Sequence, residues 1–367
     1  MRLRANISCG WLPLLLLALP LNAQTVGDTA PPPTSAISEP SFSIDDWQAH
    51  LRAPDAPSRS RLYQGDDANA IITHTAPAPP PAIITGHLPA PPAPSTAPKT
   101  KNDDDRLAAI AIGDRDFFQA LNDKPDTWPE AERDKRAQDI FDHYSAYITD
   151  HPEDVTALIL YGKLLNHVGQ PDLAYQVFRR ADQLSPNLAV IKQQLGNHLA
   201  ETGKYAPALD LLRKATALAP SEPVYHYEIG ELLNIYYDHF LADKIFDAAG
   251  LDKTMEVEFA RAAELAPLEK GFAWRHAECF YDQRNPDWPA ALAAWTTLAS
   301  QTTVETELEV IHLHQARDLI ELGKFDAARP LLEQPVMKAL ETSRATLLKR
   351  LPDGATTPAA PVPPAAS

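Results

Sequence analysis

The sequence predicts an all-α array of stacked helix pairs behind a long non-globular arm. Three observations carry that expectation. First, residues 195–220 (LGNHLAETGKYAPALDLLRKATALAP) repeat residues 161–186 (YGKLLNHVGQPDLAYQVFRRADQLSP) at a shift of 34, which aligns Gly162 with Gly196, Gly169 with Gly203, Ala174 with Ala208, Ala181 with Ala215 and Pro186 with Pro220. A period of that length marks structural units that stack on one another. Second, each copy carries apolar residues at three- and four-residue spacing, then a glycine, then a second amphipathic run that stops before proline, the pattern of helix, turn, helix, turn. Third, the 35 prolines are unevenly placed: fifteen lie in 24–105 and five in 352–367, against thirteen, mostly at turns, in 106–351. The globular part is therefore expected over about 106–350.

The chain starts with two arginines, an apolar run from Trp11 to Leu21 and small residues up to Ala23. An apolar run of this length is short for a ~30 Å hydrocarbon layer, and its order is that of a secretory signal peptide, residues 1–23. Export follows as an expectation: to the periplasm or cell envelope, or into the medium. Residues 24–105 are rich in Pro, Ala, Ser and Thr and offer too little apolar surface to offset chain ordering, so they read as a disordered linker. Within it AIITHTAPAPPP (70–81) is followed at once by AIITGHLPAPPA (82–93), a twelve-residue duplication, and SFSIDDWQAHL carries a short helix signal with Ser43 and Asp46 as a capping box. The Ala/Pro-rich end, 351–367, reads as a second disordered segment.

In the body, Gly162 and Gly196 on first helices face Ala174 and Ala208 on second helices and allow close approach, while Leu165, Leu199, Phe178 and Leu212 fill the seam. Pro186 and Pro220 stop the second helices. These residues resemble the tetratricopeptide repeat: Leu158, Tyr161-Gly162, Leu165, Ala174, Phe178, Ala181 and Pro186 in one unit, Leu195-Gly196, Leu199, Ala208, Leu212, Ala215 and Pro220 in the next. The chain is thus similar to an exported bacterial tetratricopeptide protein, and the resemblance implies a right-handed α-solenoid, a superhelix of helix pairs. Degenerate leading helices are expected over 106–153 and the array over 154–350. After Gly230 the next turn glycine and closing proline fall at Gly250 and Pro267, thirteen residues late. The excess predicts a helical insertion near 234–249, long enough to project beyond its neighbours. Weaker fourth and fifth units carry Ala277, Phe280, Ala291 and Trp295, then Ala316, Leu319, Gly323, Phe325, Ala328 and Leu332.

The resemblance also implies a concave groove lined by first helices that holds a peptide or helix of a partner protein. Repeat offsets along those helices select Lys163 and Asn166, Gln193 and Asn197, Tyr227 and Glu231, Trp274, Glu278 and Tyr281, and Arg317. Amides there can pair with a peptide backbone and rings can cover its side chains. A formal charge of −16 repels phosphate backbones and excludes nucleic acid as a natural partner. No catalytic motif is present: GKYAPA and GKFDAA lack the Ser or Thr of a phosphate loop, His312 and His314 point to different helix faces, and Cys279 beside His276 and Glu278 lacks a third group. The expectation is a non-enzymatic scaffold with no cofactor and no metal. The alternative is an envelope enzyme or carbohydrate-binding accessory that uses Tyr236, Tyr237 and His239 at the insertion.

Overall fold

The computed structural model describes residues 99–124 and 127–352; the expected signal peptide, nearly all of the expected linker with its duplication, and the expected terminal segment lie outside the described residues. These fall into two compact units, one of 99–247 with Glu264–Ala266 and one of 248–263 with 267–352. Both are all-α, with tetratricopeptide-type helix pairs and, among the described residues, no strand. No described helix is long and apolar enough to cross a membrane.

The first unit contains α1 (Lys101–Asp123), α2 (Glu130–Asp150), α3 (Val155–His167), α4 (Pro171–Leu184), α5 (Ala189–Glu201), α6 (Tyr205–Leu218), α7 (Pro223–Ile235) and α8 (Tyr237–Ala242). α1 begins earlier than the expected body, at Lys101, because Thr100 caps it. The Thr100 side chain accepts from the Asp103 N–H while Asp103 takes the Thr100 N–H in return, a reciprocal box that satisfies two end donors. The polar run before Arg106 hid this start. Asp154 caps α3 through the Ala157 N–H at 3.2 Å and also accepts from the Tyr147 hydroxyl at 2.9 Å and pairs with Lys99 at 2.8 Å. One carboxylate thereby ties the chain just before α1 to the end of α2 and the start of α3.

α3 with α4 and α5 with α6 form the two pairs read from the sequence, and the turns close as anticipated. Gly169 and Gly203 adopt φ of 73° and 77°, where a side chain is strained, and their N–H groups bond back to Asn166 and Ala200. Tyr161, Leu158, Phe178, Val177 and Ala181 are all but sealed from solvent between the helices. A Cβ built on Gly162 would lie 2.7 Å from the Phe178 ring, and one on Gly196 would lie 3.1 Å from Leu212. Those glycines are therefore positions of contact.

The insertion differs from the single projecting helix that the spacing predicts. α7 stops at Ile235, α8 is only six residues long, and the chain turns before a new helix begins at Ala248. Gly250 lies inside that new helix, and the left-handed turn residue is Lys244, with φ 58°. Tyr237 and Phe240 are buried, so the inserted residues fold back onto the body because their apolar stripe has core to cover.

The second unit contains all but the last two residues of α9 (Ala248–Leu265), then α10 (Lys270–Cys279), α11 (Trp288–Gln301), α12 (Glu305–Glu321), α13 (Phe325–Glu333) and α14 (Glu341–Leu348). α10 packs on α11, α11 on α12 and α12 on α13; Gly323 makes the last turn with φ 69°. The loop between α10 and α11 is pinned by Asp252 of α9, whose carboxylate accepts the N–H groups of Arg284 and Asn285, each at 3.3 Å. α13 ends at Glu333, just ahead of Pro335, whose ring cannot continue a helix. α14 then lies against α12 and α13.

Gly162→Ala should lower stability by about 1–3 kcal/mol, the cost of overpacking a filled seam, and Gly196→Ala by less, because Leu212 has more room to give. Denaturant unfolding of both variants measures the difference; equal losses would refute the steric account.

Candidate functional site

The sequence-selected residues fall into two groups, one in each unit. In the first unit a chain of amides crosses three first helices. Asn166 of α3 donates to Gln194 of α5 at 3.0 Å, Gln194 donates to Gln193 at 2.9 Å, and Gln193 donates to Glu228 of α7 at 2.7 Å. Asn197 donates to the same Glu228 oxygen at 2.9 Å. Every amide hydrogen bond is directed toward one carboxylate, the acceptor at the end of the chain. Gln193 and Glu228 are wholly buried, and Asn197 keeps an Oδ1 without a hydrogen-bond partner.

Asn166, Gln193 and Asn197 are thus brought together, but their Nδ2 or Nε2 groups are engaged within the protein. Gln194 and Glu228 were missed: each sits one residue beyond a selected position, on the side of the helix that the repeat offsets assign to packing. Tyr227 and Glu231 are buried on α7. Lys163 is half-buried on α3; burial, and then its charge, push His167 down to about 4. Tyr236, Tyr237 and His239 do not form an open aromatic platform. Tyr236 donates to the Ala200 carbonyl at 2.6 Å and stacks on Tyr205 with centroids 5.2 Å apart, while His239 sits 5.3 Å from the same ring. Tyr205 in turn bonds Asp243.

The second unit gathers rings around a charged pair. Tyr281 stands at its centre. Its hydroxyl accepts from Trp295 Nε1 at 2.8 Å, donates to Asp318 Oδ1 at 3.1 Å and lies 3.1 Å from His314 Nδ1. Indole can only donate and the tyrosine proton goes to the carboxylate, so His314 completes the set as an Nδ1–H donor. That imidazole lies flat on Trp295, 4.1 Å away and 5° from parallel. Burial, and then the Arg317 charge, push it down to about 3, so it stays neutral at any ordinary pH. Arg317 lies over the Tyr281 ring at 3.7 Å and over Trp288 at 5.9 Å, with Nε and Nη2 lacking a hydrogen-bond partner. Asp318 is wholly buried and its Oδ2 is likewise unpartnered.

Tyr281 and Arg317 are therefore one constellation. Trp274 packs edge-on against Trp295 at 5.2 Å and donates from Nε1 to Glu278 at 2.9 Å, one helical turn away. Sequence offsets missed Trp295, His314 and Asp318. Trp295 is in the core, as the repeat pattern expects, and also donates to Tyr281, while His314, which shares α12 with His312, is a stacking partner of that indole. Cys279 is buried in the same unit.

No family model and no curated protein matches the chain. Among solved structures it is similar to YrrB, described as a TPR protein with an unusual peptide-binding site (16% identity, covering 56% of this chain and 97% of that one, TM-score 0.44). It is also similar to PilF of Pseudomonas aeruginosa (16%, 63% and 91%, TM-score 0.44). A third is PilW, described as a type IV pilus biogenesis factor (15%, 66% and 99%, TM-score 0.43). At these TM-scores the likenesses transfer no binding property to this chain.

Burial raises the Asp318 carboxyl to about 7, against the opposing Tyr281 hydrogen bond and Arg317 charge. The folded protein then holds a proton that the unfolded chain releases near the ordinary 3.8. The stability this contributes is fully present below 3.8 and is lost as pH rises through 7. Asp318→Asn cannot ionise, so its melting temperature relative to the unaltered protein should climb between pH 4 and pH 8, corresponding to a few kcal/mol at most. A difference that stays flat across that range would refute the assignment.

Proposed function

We propose that this chain is a non-enzymatic scaffold of the bacterial cell envelope, binding peptide or helix segments of partner proteins on its first-helix faces. The observation that carries the reading is Arg317: a buried guanidinium laid on Tyr281, with two N–H groups lacking acceptors. A buried donor left unsatisfied costs about 1–3 kcal/mol, which an acceptor brought by a partner would recover. Tyr281, Trp288 and Trp274 supply rigid apolar surface around it, suited to side chains of an extended or helical segment. In the first unit half-buried Lys163 offers a second, more polar contact, the amide chain ending on Glu228 being engaged within the protein. Partner segments carrying a carboxylate or exposed carbonyls fit Arg317 best. Export to the envelope rests on the signal-like start of the sequence.

The test is crosslinked capture from cell envelopes with the unaltered protein, Arg317→Gln and Lys163→Gln, after checking that all three melt alike. Loss of one and the same partner from Arg317→Gln, by about tenfold or more, is expected from removing a charged hydrogen bond. Unchanged protein partners with lost glycan retention would favour the carbohydrate-binding alternative, and no change in either would reject Arg317 as the recognition residue.

A further inference from the structure

We propose that the open groove between α1 and α2 seats a segment of this chain's own proline-rich arm, residues 82–93, with Gly113 as the point of closest approach. The groove encloses about 430 Å³ and is lined chiefly by Ile110, Gly113, Phe117, Trp128, Arg136 and Ile140. Phe117 and Trp128 stack with centroids 5.5 Å apart and planes 15° from parallel, and the Arg136 guanidinium lies 4.8 Å from the Trp128 ring. Phe117 and the guanidinium thus cover the Trp128 ring, and the groove offers ring edges with the aliphatic side chains of Ile110 and Ile140, an apolar wall against which proline rings and branched aliphatic side chains can pack.

Gly113 is the second observation. It sits in the middle of a 23-residue helix, where glycine costs roughly 0.5–1 kcal/mol relative to alanine. Gly162 and Gly196 have a reason inside the fold, since Phe178 and Leu212 occupy the space a Cβ would need; a Cβ on Gly113 would meet nothing within 4 Å. The missing side chain makes room for no neighbour among the described residues, and it opens directly into the groove. A chain passing over that point can approach the α1 backbone closely.

The third observation is where the arm meets the body. Lys99 is held by Asp104 at 2.6 Å and by Asp154 at 2.8 Å, so the arm departs from the start of α1. From Lys101 to Gly113 is about 18 Å along the helix. Because Lys99 and Thr100 are held at the start of α1, the free chain is counted from Lys99: six steps back to Ala93 span up to about 20 Å and eleven back to Leu88 about 36 Å, so AIITGHLPAPPA can double back along α1 and reach the groove. Five or six residues of polyproline geometry at ~3.1 Å each fill the stretch of α1 that lines it. So short a linker gives an effective concentration in the millimolar range, which populates even weak docking and favours this segment over one from another molecule. The preceding copy, AIITHTAPAPPP, repeats the same chemistry twelve residues farther out.

The experiment uses the full chain with a benzophenone amino acid in place of Leu88, irradiated in dilute solution, the adducts being mapped by mass spectrometry. An intramolecular adduct on α1 or α2 is expected, and Gly113→Leu, which fills the groove, should abolish it. The melting temperature of Gly113→Leu should be equal to or above that of the unaltered chain, which separates blocking from unfolding. An adduct between two copies, an adduct on a different protein, an intramolecular adduct indifferent to Gly113→Leu, or no adduct at all would each overturn the proposal. None of these outcomes depends on whether Arg317 recognises a partner.

Discussion

How closely two antiparallel helices can approach governs the repeated part of this protein. A helix of thirteen or fourteen residues is marginal alone in water and keeps its shape because a neighbour covers its apolar face. At Gly162 the Phe178 ring occupies the volume of the absent side chain, and at Gly196 Leu212 does the same. The 34-residue period follows from that contact: the small residue, the large residue opposite, the left-handed glycine and the stopping proline must recur together or the next pair has nothing to lean on. Where Lys244 takes the place of a turn glycine, the chain escapes the period and folds a short helix back onto the body.

Close approach leaves polar groups that water cannot reach, and the two units handle them differently. The first directs its amides in sequence to one carboxylate, so that Gln193 and Glu228 are buried without being stranded. Such a network specifies alignment among three helices, since a slip of one residue would strand several donors at once. The second unit concentrates its polar atoms on Tyr281, whose hydroxyl is shared by Trp295, His314 and Asp318. It leaves Arg317 and Asp318 each with atoms unanswered. The amide chain leaves one neutral oxygen, Asn197 Oδ1, unanswered, whereas the aromatic constellation leaves donors of a guanidinium and a carboxyl oxygen, and that difference is why recognition is assigned to the constellation ahead of the amide chain.

The helix pairs were legible in the sequence because their steric requirements recur: Gly162 and Gly196, Ala174 and Ala208, Pro186 and Pro220 each encode one contact twice. The polar interior was only half legible. Repeat offsets located Asn166, Gln193, Asn197, Tyr281 and Arg317, but not the neighbours that bond them, because Gln194, Glu228 and Asp318 sit one position aside and read as ordinary helix polar residues. The insertion was readable in length and not in shape. A thirteen-residue excess of helix-compatible residues does not say where it bends, and the bend falls on Lys244, a residue type with no preference for the left-handed region. The start of α1 was obscured for the opposite reason: Thr100 and Asp103 form a strong cap inside a run whose composition resembles the arm.

Asp154 joins Lys99, the Tyr147 hydroxyl and the first turn of α3 in one cluster. Tension arriving through the chain ahead of Lys99 would accordingly load α1 at its cap and, in parallel, the first turn of α3, fifty-odd residues away in sequence. A pull on the arm thus meets several bonds strained together, where a plain hinge at the first helix would let them peel one by one. The body is fastened to its leash by a rivet.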